Sequence, residues 1–292
     1  MDNYQFELGG YQFGIGQDIT VEGFDPGTVG WTTQDQPNPI TDGTTFGQDK
    51  MEGPTWAWDL STDRDEPEEA LATASELATI WRALGVRDVP GAVMPLRYSV
   101  GGRTRRVYGR PRRWSAPPSN RLLGGYLPIN ADFAVADHLH YDDEEATVTL
   151  TITGSATGGL EFPAEAPFLF SGTGQERPGL IYAGGDAPTG FTARIDGPIV
   201  GPYLRGPGWE LDFGALSLPE GQWIDIDTHS FGAAGMTALR NGVASVAGSL
   251  SRLSRLSKAK IVPGGQEIVF GGTSATGTAS AAIHWRPAWH SL

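Results

Sequence analysis

The chain has no cysteine among its 292 residues and few methionines, histidines or lysines. Without cysteine it has neither a disulfide framework nor a thiolate metal site. No stretch approaches the roughly 18 apolar residues of a spanning helix. Met1–Tyr4 lacks the basic and apolar regions of a secretory signal. These absences predict a soluble protein, made and folded in the cytoplasm, with no membrane partner. Signatures of turnover are missing too. Neither a Gly-Lys-Ser/Thr nor a helix follows Gly9-Gly10 and Gly14-Ile15-Gly16, so both phosphate-binding fingerprints fail. No Gly-x-Ser-x-Gly supplies a nucleophile elbow. The sequence therefore predicts no enzyme, no cofactor and no catalytic residue.

What it does have is glycine and proline, 41 and 21 residues, without collagen-like period or low-complexity tract. With 10% aromatics this predicts a β-rich globular chain with many tight turns. The net charge of −13 is unevenly spread. Between Val89 and Ala131 stand eight arginines and no acid: Arg97, Arg103, Arg105, Arg106, Arg110, Arg112, Arg113 and Arg121. The rest of the chain carries 13 basic against 34 acidic residues, a balance of −21. A basic patch on an acidic protein fits nucleic acid or an acidic surface on another copy or a partner. Self-complementary assembly is favoured, because the acidity elsewhere repels a phosphate backbone. The last residues point the same way. Trp285 and Trp289 flank Arg286-Pro287, and a terminus with so much apolar and cationic surface docks rather than frays.

Along the chain, residues 4–24 alternate as strands, 32–54 read as an extended loop or irregular hairpin, and Thr55–Trp58 resumes a strand. Asp65-Glu66-Pro67 opens a helix, with acids near the positive end of its dipole and proline in the first turn. Leu71, Ala74, Leu77, Ala78, Trp81 and Leu84 form its apolar stripe, and Gly85 is expected to end it. Residues 93–98 and 103–109 predict a hairpin around Gly101-Gly102, followed by a strand over 124–133. The acid run Asp142–Glu145 marks a composition shift, which places a boundary near residues 140–157. Strands are then expected at 147–153, 167–171, 179–183, 190–195, 198–204, 208–213, 215–218, 222–227, 231–239, 243–247, 260–262, 266–270 and 279–285. Their short, even spacing predicts an antiparallel sandwich. Serine-rich 249–257 is a weak helix or a loop.

Three motifs carry a chemical reading beside a plainer one. His138-Leu139-His140-Tyr141-Asp142 has the His-x-His-x-Asp order of binuclear hydrolases, but Asp143 stands where a further histidine is needed. A histidine-bearing strand at the domain junction is the simpler account, and no metal ligand is assigned. Asp225 and Asp227 share one face of a strand, yet no partner acid completes a glycosidase pair. Trp209 and Trp223 suit sugar stacking, although filling a sandwich core is the commoner fate of tryptophan.

The order of several short motifs resembles the distal tail proteins of long-tailed bacteriophages, particularly those of actinobacterial hosts. In the second half these are Phe191–Pro202, Glu220–Thr228, Asn241-Gly242, Val262–Gly264 and Trp285–Trp289. In the first half they are Gly102-Arg103, Tyr108–Arg113 and Ala131–Phe133. The resemblance implies a mainly β fold: a ring-forming N-terminal domain with one packing helix (1–145) and a C-terminal galectin-like β-sandwich (146–292). It implies a structural virion protein of the tail tip, assembled in the host cytoplasm as a ring, commonly a hexamer. Such a ring joins the tail tube protein to the tail-associated baseplate hub, meets the tape measure protein, and passes DNA in transit. No stretch is long enough for an inserted carbohydrate-binding module. The alternative is a carbohydrate-binding β-sandwich protein acting in host-surface attachment.

A ring gives each subunit two different faces, and opposite charges on those faces favour closure. Arg103, Arg105, Arg106, Arg110, Arg112 and Arg113 are thus expected at a subunit contact, opposite a neighbour's Glu66, Glu68, Glu69 or its 142–145 run.

Overall fold

The computed structural model describes residues 1–152, 179–232 and 235–292, so the strand expected at 167–171 lies outside the described residues. The fold is mainly β. It divides into two compact units, the first holding 1–143 with 231–234 and 289–292, the second holding 144–230 and 235–288. The terminal Trp289–Leu292 thus belongs to the first unit, while Trp285 is buried in the core of the second. Among the described residues no helix is long and apolar enough to cross a membrane.

In the first unit β1 (Gln5–Leu8), β2 (Tyr11–Gly14) and β3 (Thr20–Asp25) precede an arm of four two-residue strands. These are β4 (Trp31–Thr32), β5 (Gln36–Pro37), β6 (Thr44–Thr45) and β7 (Lys50–Met51), with β4 paired to β7 and β5 to β6. Then come β8 (Thr55–Asp63), α1 (Pro67–Arg82), the short α2 (Leu84–Arg87), β9 (Met94–Val100), β10 (Arg103–Ser115), β11 (Tyr126–Val135) and β12 (His140–Asp142). The main sheet runs β2-β1-β9-β10-β11-β8-β3, and β12 adds to β10 beyond the end of β11.

Alternation builds this core. Every second residue of β11 is buried, as are Trp56, Trp58 and Leu60 of β8. Trp58 stands among Phe6, Phe13, Phe24 and Trp81, with ring centroids 5.4–6.1 Å away, mostly edge to face. Such pairs contribute roughly 0.5–1.5 kcal/mol each beyond area burial. Helix α1 closes the core with Ala70, Ala74, Leu77 and Trp81. Two details differ from the sequence reading. The stripe is rotated, so Ala70 is buried and Leu71 exposed. The helix also stops before Gly85, because Ala83 turns left-handed (φ 46°) and swings Leu84 into solvent.

The second unit contains β13 (Ala146–Thr151), β14 (Leu180–Ala183), β15 (Phe191–Asp196), β16 (Ile199–Gly206), β17 (Trp209–Asp212), β18 (Ser217–Leu218) and β19 (Trp223–Asp227). β20 (Thr237–Arg240), β21 (Ala244–Ser245), β22 (Gly264–Glu267), β23 (Val269–Thr273) and β24 (Ser280–Trp285) complete it. One sheet runs β13-β24-β15-β19-β20-β21, and another runs β17-β16-β18 with β23 on β16. Inward residues of both, including Phe191, Ile195, Ile224, Leu204, Phe213 and Ile283, form one cluster, which makes the unit a sandwich. The strand expected at 260–262 reduces to a bridge between Ile261 and Thr189. The one at 266–270 is broken at Ile268, whose N–H turns to the carbonyl of Gly179. That at 231–239 shortens to β20, since Phe231 stacks on Tyr108 in the first unit. Residues 249–257 form no α-helix; a 3₁₀ turn (Ala247–Ser249) ends at their start and another (Leu256–Lys258) begins at their end.

Candidate assembly interface

The arginine-rich window is the β9–β10 hairpin and the strand that continues from it. Gly101 and Gly102 both have positive φ (62° and 75°), a two-residue turn whose twist matches the flanking strands. Alternation along β10 then sends its arginines to different places.

Arg105 shares the buried face with Val107 and is only 2% exposed. Its guanidinium lies over the Trp289 ring, 4.6 Å from the centroid, and Nη1 donates to the Ser291 carbonyl at 2.5 Å. The Tyr98 hydroxyl is hydrogen-bonded to His140 Nδ1, 2.7 Å away. His140 stacks on Trp56, and burial together with the charges of Arg105 and His138 pushes its pKa down to about 4. It is therefore a neutral core histidine. His138 stacks on His290, and among the described residues no three His, Cys, Asp or Glu side chains converge on one point.

On the opposite face Arg106 donates to Asp143 Oδ1 at 2.6 Å, and Arg97 of β9 forks onto both oxygens of the same carboxylate at 2.6 and 2.9 Å. Arg97 also reaches Glu7 at 2.8 Å. Burial alone would raise the Asp143 carboxyl, but hydrogen bonds from Arg97 and Arg106 outweigh it and hold it below the usual range. Arg110 ties down the Ala92 and Val89 carbonyls. Thus Arg105, Arg106 and Arg110 are held inside their own unit, and the 142–145 run supplies an acid in cis. Arg103, Arg112 and Arg113 are exposed. So are Glu66, Glu68 and Glu69, around the start of α1. The network of Arg97, Glu7 and Asp143 was not foreseen, since its members lie 46 and 90 residues apart in the chain.

Beside the hairpin, α1, α2 and the end of β10 enclose a cleft of about 530 Å³. Ala78, Trp81 and Trp114 lie at its base, while Arg82, Leu84, Arg87 and Arg112 stand around them; no carboxylate lines it.

In the second unit a smaller groove of about 370 Å³ crosses the sheet between Arg194, Asp225, Asp227 and His284. Its charged groups are engaged with one another. Arg194 pairs with Asp225 at 2.7 Å and covers the Trp223 ring at 5.1 Å, and Asp227 meets His229 at 2.8 Å. Trp209 is buried, its Nε1 donating to the Lys260 carbonyl. Of the two tryptophans of the sugar-stacking reading, Trp209 is thus enclosed, and half-buried Trp223 has one face under Arg194.

No protein-family model matches the chain, and no curated protein does. Solved structures do. The crystal structure of the Dit protein (gp 19.1) of phage SPP1 superposes over 97% of this chain and 98% of its own, with TM-score 0.56 at 12% identity. The chain has the Dit fold. A chain of the phage P2 baseplate, in its activated conformation with calcium, aligns over 96% of this chain and 97% of its own (TM-score 0.50, 12% identity). The superposition on SPP1 Dit takes in 97% of the chain, so the likeness extends beyond the sandwich alone.

Proposed function

We propose that this protein is a structural component of a phage tail tip, a distal tail protein whose copies close into a ring, hexameric in the simplest case. The first unit forms the ring and the second is a galectin-like sandwich. The ring joins the tail tube to the baseplate hub and leaves a channel for DNA. The observation that carries this reading is the end-to-end superposition on SPP1 Dit, a protein described as a paradigm of hub adsorption apparatus in phages infecting Gram-positive bacteria. Partners in that setting are further copies, the tube, hub and tape measure proteins; no membrane is involved and no chemistry is performed. Net acidity suits a bore through which DNA slides, so carboxylates rather than arginines are expected to face it. Negative-stain microscopy and light scattering on the purified chain test the reading. A ring with an open pore is expected, and labelled antibody against the chain should mark the tail tip of the virion. A monomer under virion-like salt and concentration would overturn it. Carbohydrate binding is not favoured, given how Trp209 and Trp223 are engaged.

A further inference from the structure

Helix α1 carries opposite charges at its two ends. Its start is acidic: Asp63, Asp65, Glu66, Glu68 and Glu69 are all exposed, and the one cation among them, Arg64, is paired with Asp18. Leu71 stands beside these acids, one turn from Glu68 on the same helix face, and is 45% exposed. The rotation that buries Ala70 is what turns Leu71 outward. The far end is cationic. The cleft there has Ala78, Trp81 and Trp114 at its base, the two indole rings 5.7 Å apart, with Arg82, Arg87 and Arg112 around them and no carboxylate in its lining.

Two local devices build that cleft. β10 pairs with β11 as far as Pro111 opposite Phe133 and resumes with Trp114 opposite Ala131, so Arg112 and Arg113 stand against Asp132 alone. Strict alternation after buried Pro111 would turn Arg113 into the core; the bulge leaves both arginines exposed and returns Trp114 to the side of Trp81. The left-handed Ala83 ends α1 and leaves Leu84 67% exposed beside the indoles, where Arg87 is fixed by the carbonyls of Arg82 and Pro111. Sixteen residues make α1 roughly 24 Å long, so the acids at its start cannot fill the cleft at its end within one chain.

We propose that the start of α1 in one copy docks on this cleft in the next. Leu71 packs against Leu84 and the two tryptophans, while Glu66, Glu68 and Glu69 meet Arg82, Arg87 and Arg112. The occupant is a second copy because the chain itself carries the complementary surface, a leucine among carboxylates. The contact joins two different patches head to tail, the kind of interface that closes a ring. This inference rests on the ring reading above and names one of its contacts.

Charge exchange tests it. Glu68→Arg with Glu69→Arg sets like charges against the cleft of an identical copy, as Arg82→Glu with Arg112→Glu does against the helix start. Each double variant alone should need at least about tenfold more protein to form rings, followed by light scattering, with circular dichroism unchanged. Mixed one to one, the two should assemble at wild-type concentrations, since every such contact in an alternating ring again joins opposite charges. The absence of cysteine allows a second test. Leu71→Cys and Leu84→Cys are at exposed positions; mixed and treated with a short bis-maleimide, they should give covalent dimers that neither variant gives alone. Where a reversed variant fails to fold, this cross-link decides. Rings from either reversed variant at wild-type concentration, a folded mixture that stays dispersed, or rings of the cysteine variants that do not cross-link overturn the proposal and leave the ring reading standing. A wild-type protein that never forms rings overturns both.

Discussion

His140 makes the first unit acid-sensitive, and the size of the effect follows from its surroundings. The imidazole is buried against Trp56, hydrogen-bonded through Nδ1 to the Tyr98 hydroxyl, and lies near the Arg105 charge. Its folded pKa is about 4, against an ordinary value of 6.5. Between those values the unfolded chain binds more protons than the folded one, so stability falls as pH falls. Nothing is lost above the upper value, and the loss is complete below the lower. The gap corresponds to about 3 kcal/mol in full, with about 2 kcal/mol of it lost between about pH 7 and about pH 5. Carboxylates titrate in the lower part of that range, so a variant must isolate the histidine. His140→Asn keeps an acceptor for the Tyr98 hydroxyl and cannot gain a proton. It loses the stack on Trp56, which lowers its stability by a similar amount at every pH. Urea unfolding of both proteins across this range, followed by tryptophan fluorescence, gives the two slopes. The wild type should lose about 2 kcal/mol more than His140→Asn. Parallel curves would refute the argument and mean that His140 is charged or solvated in the folded protein.

Other consequences follow from single contacts. Asp143→Asn leaves Arg97 and Arg106 half-buried beside a neutral group, and urea unfolding should show a loss of about 3 kcal/mol. An unchanged midpoint would mean that the network contributes nothing. Leu77→Ala, at a fully buried position of α1, should cost about 2–5 kcal/mol, whereas Leu71→Ala should stay within about 0.5 kcal/mol, as thermal melts will show. Equal effects would put the helix face elsewhere. Arg105→Glu places a carboxylate under Trp289 and should unfold the first unit, while Arg103→Glu with Arg113→Glu should leave circular dichroism and melting unchanged. A stable Arg105→Glu protein would show that the C-terminal residues do not enclose that charge.

Local signals in the sequence held up where the physics is local. Gly101-Gly102 marks its turn because two successive positive φ values suit glycine best, and the α1 stripe is legible because the helix covers one core. The offset between Leu71 and Ala70 is a matter of rotation that tertiary packing decides and periodicity alone does not. The arm was only an irregular stretch, since side chains that bury nothing within the chain show no period. Return segments were legible only in part: docking of the Trp289 terminus was expected, but not its place under Arg105, nor the stack of Phe231 on Tyr108, since both contacts span well over a hundred residues. The arginines were legible as a cluster but not as a division of labour. Which of them faces Asp143 depends on the β10 register against β9 and β12, where Arg106 pairs with Arg97 on one side and Tyr141 on the other.

That division changes the electrostatic argument for assembly. Read as one patch, the window offers eight positive charges to a neighbour. In the folded unit Arg97 and Arg106 are neutralised by Glu7 and Asp143, Arg105 is enclosed, and Arg110 is committed to backbone carbonyls. Arg121 lies over the Tyr126 ring. What remains exposed is Arg121 beside Tyr126, Arg103 at the hairpin turn, and Arg112 and Arg113 at the far end of β10, next to the cleft that Arg82 and Arg87 also line. A diffuse attraction between basic and acidic halves is thereby reduced to a few exposed cations, some of them around the apolar cleft. Exposed charges by themselves contribute little, and solvent and salt screen them. Around an apolar contact they gain in weight as water is excluded, and they select partner and register. Copies held together by those exposed cations alone should therefore separate as salt rises to about 1 M, and light scattering that shows the same mass throughout would refute an electrostatic contact.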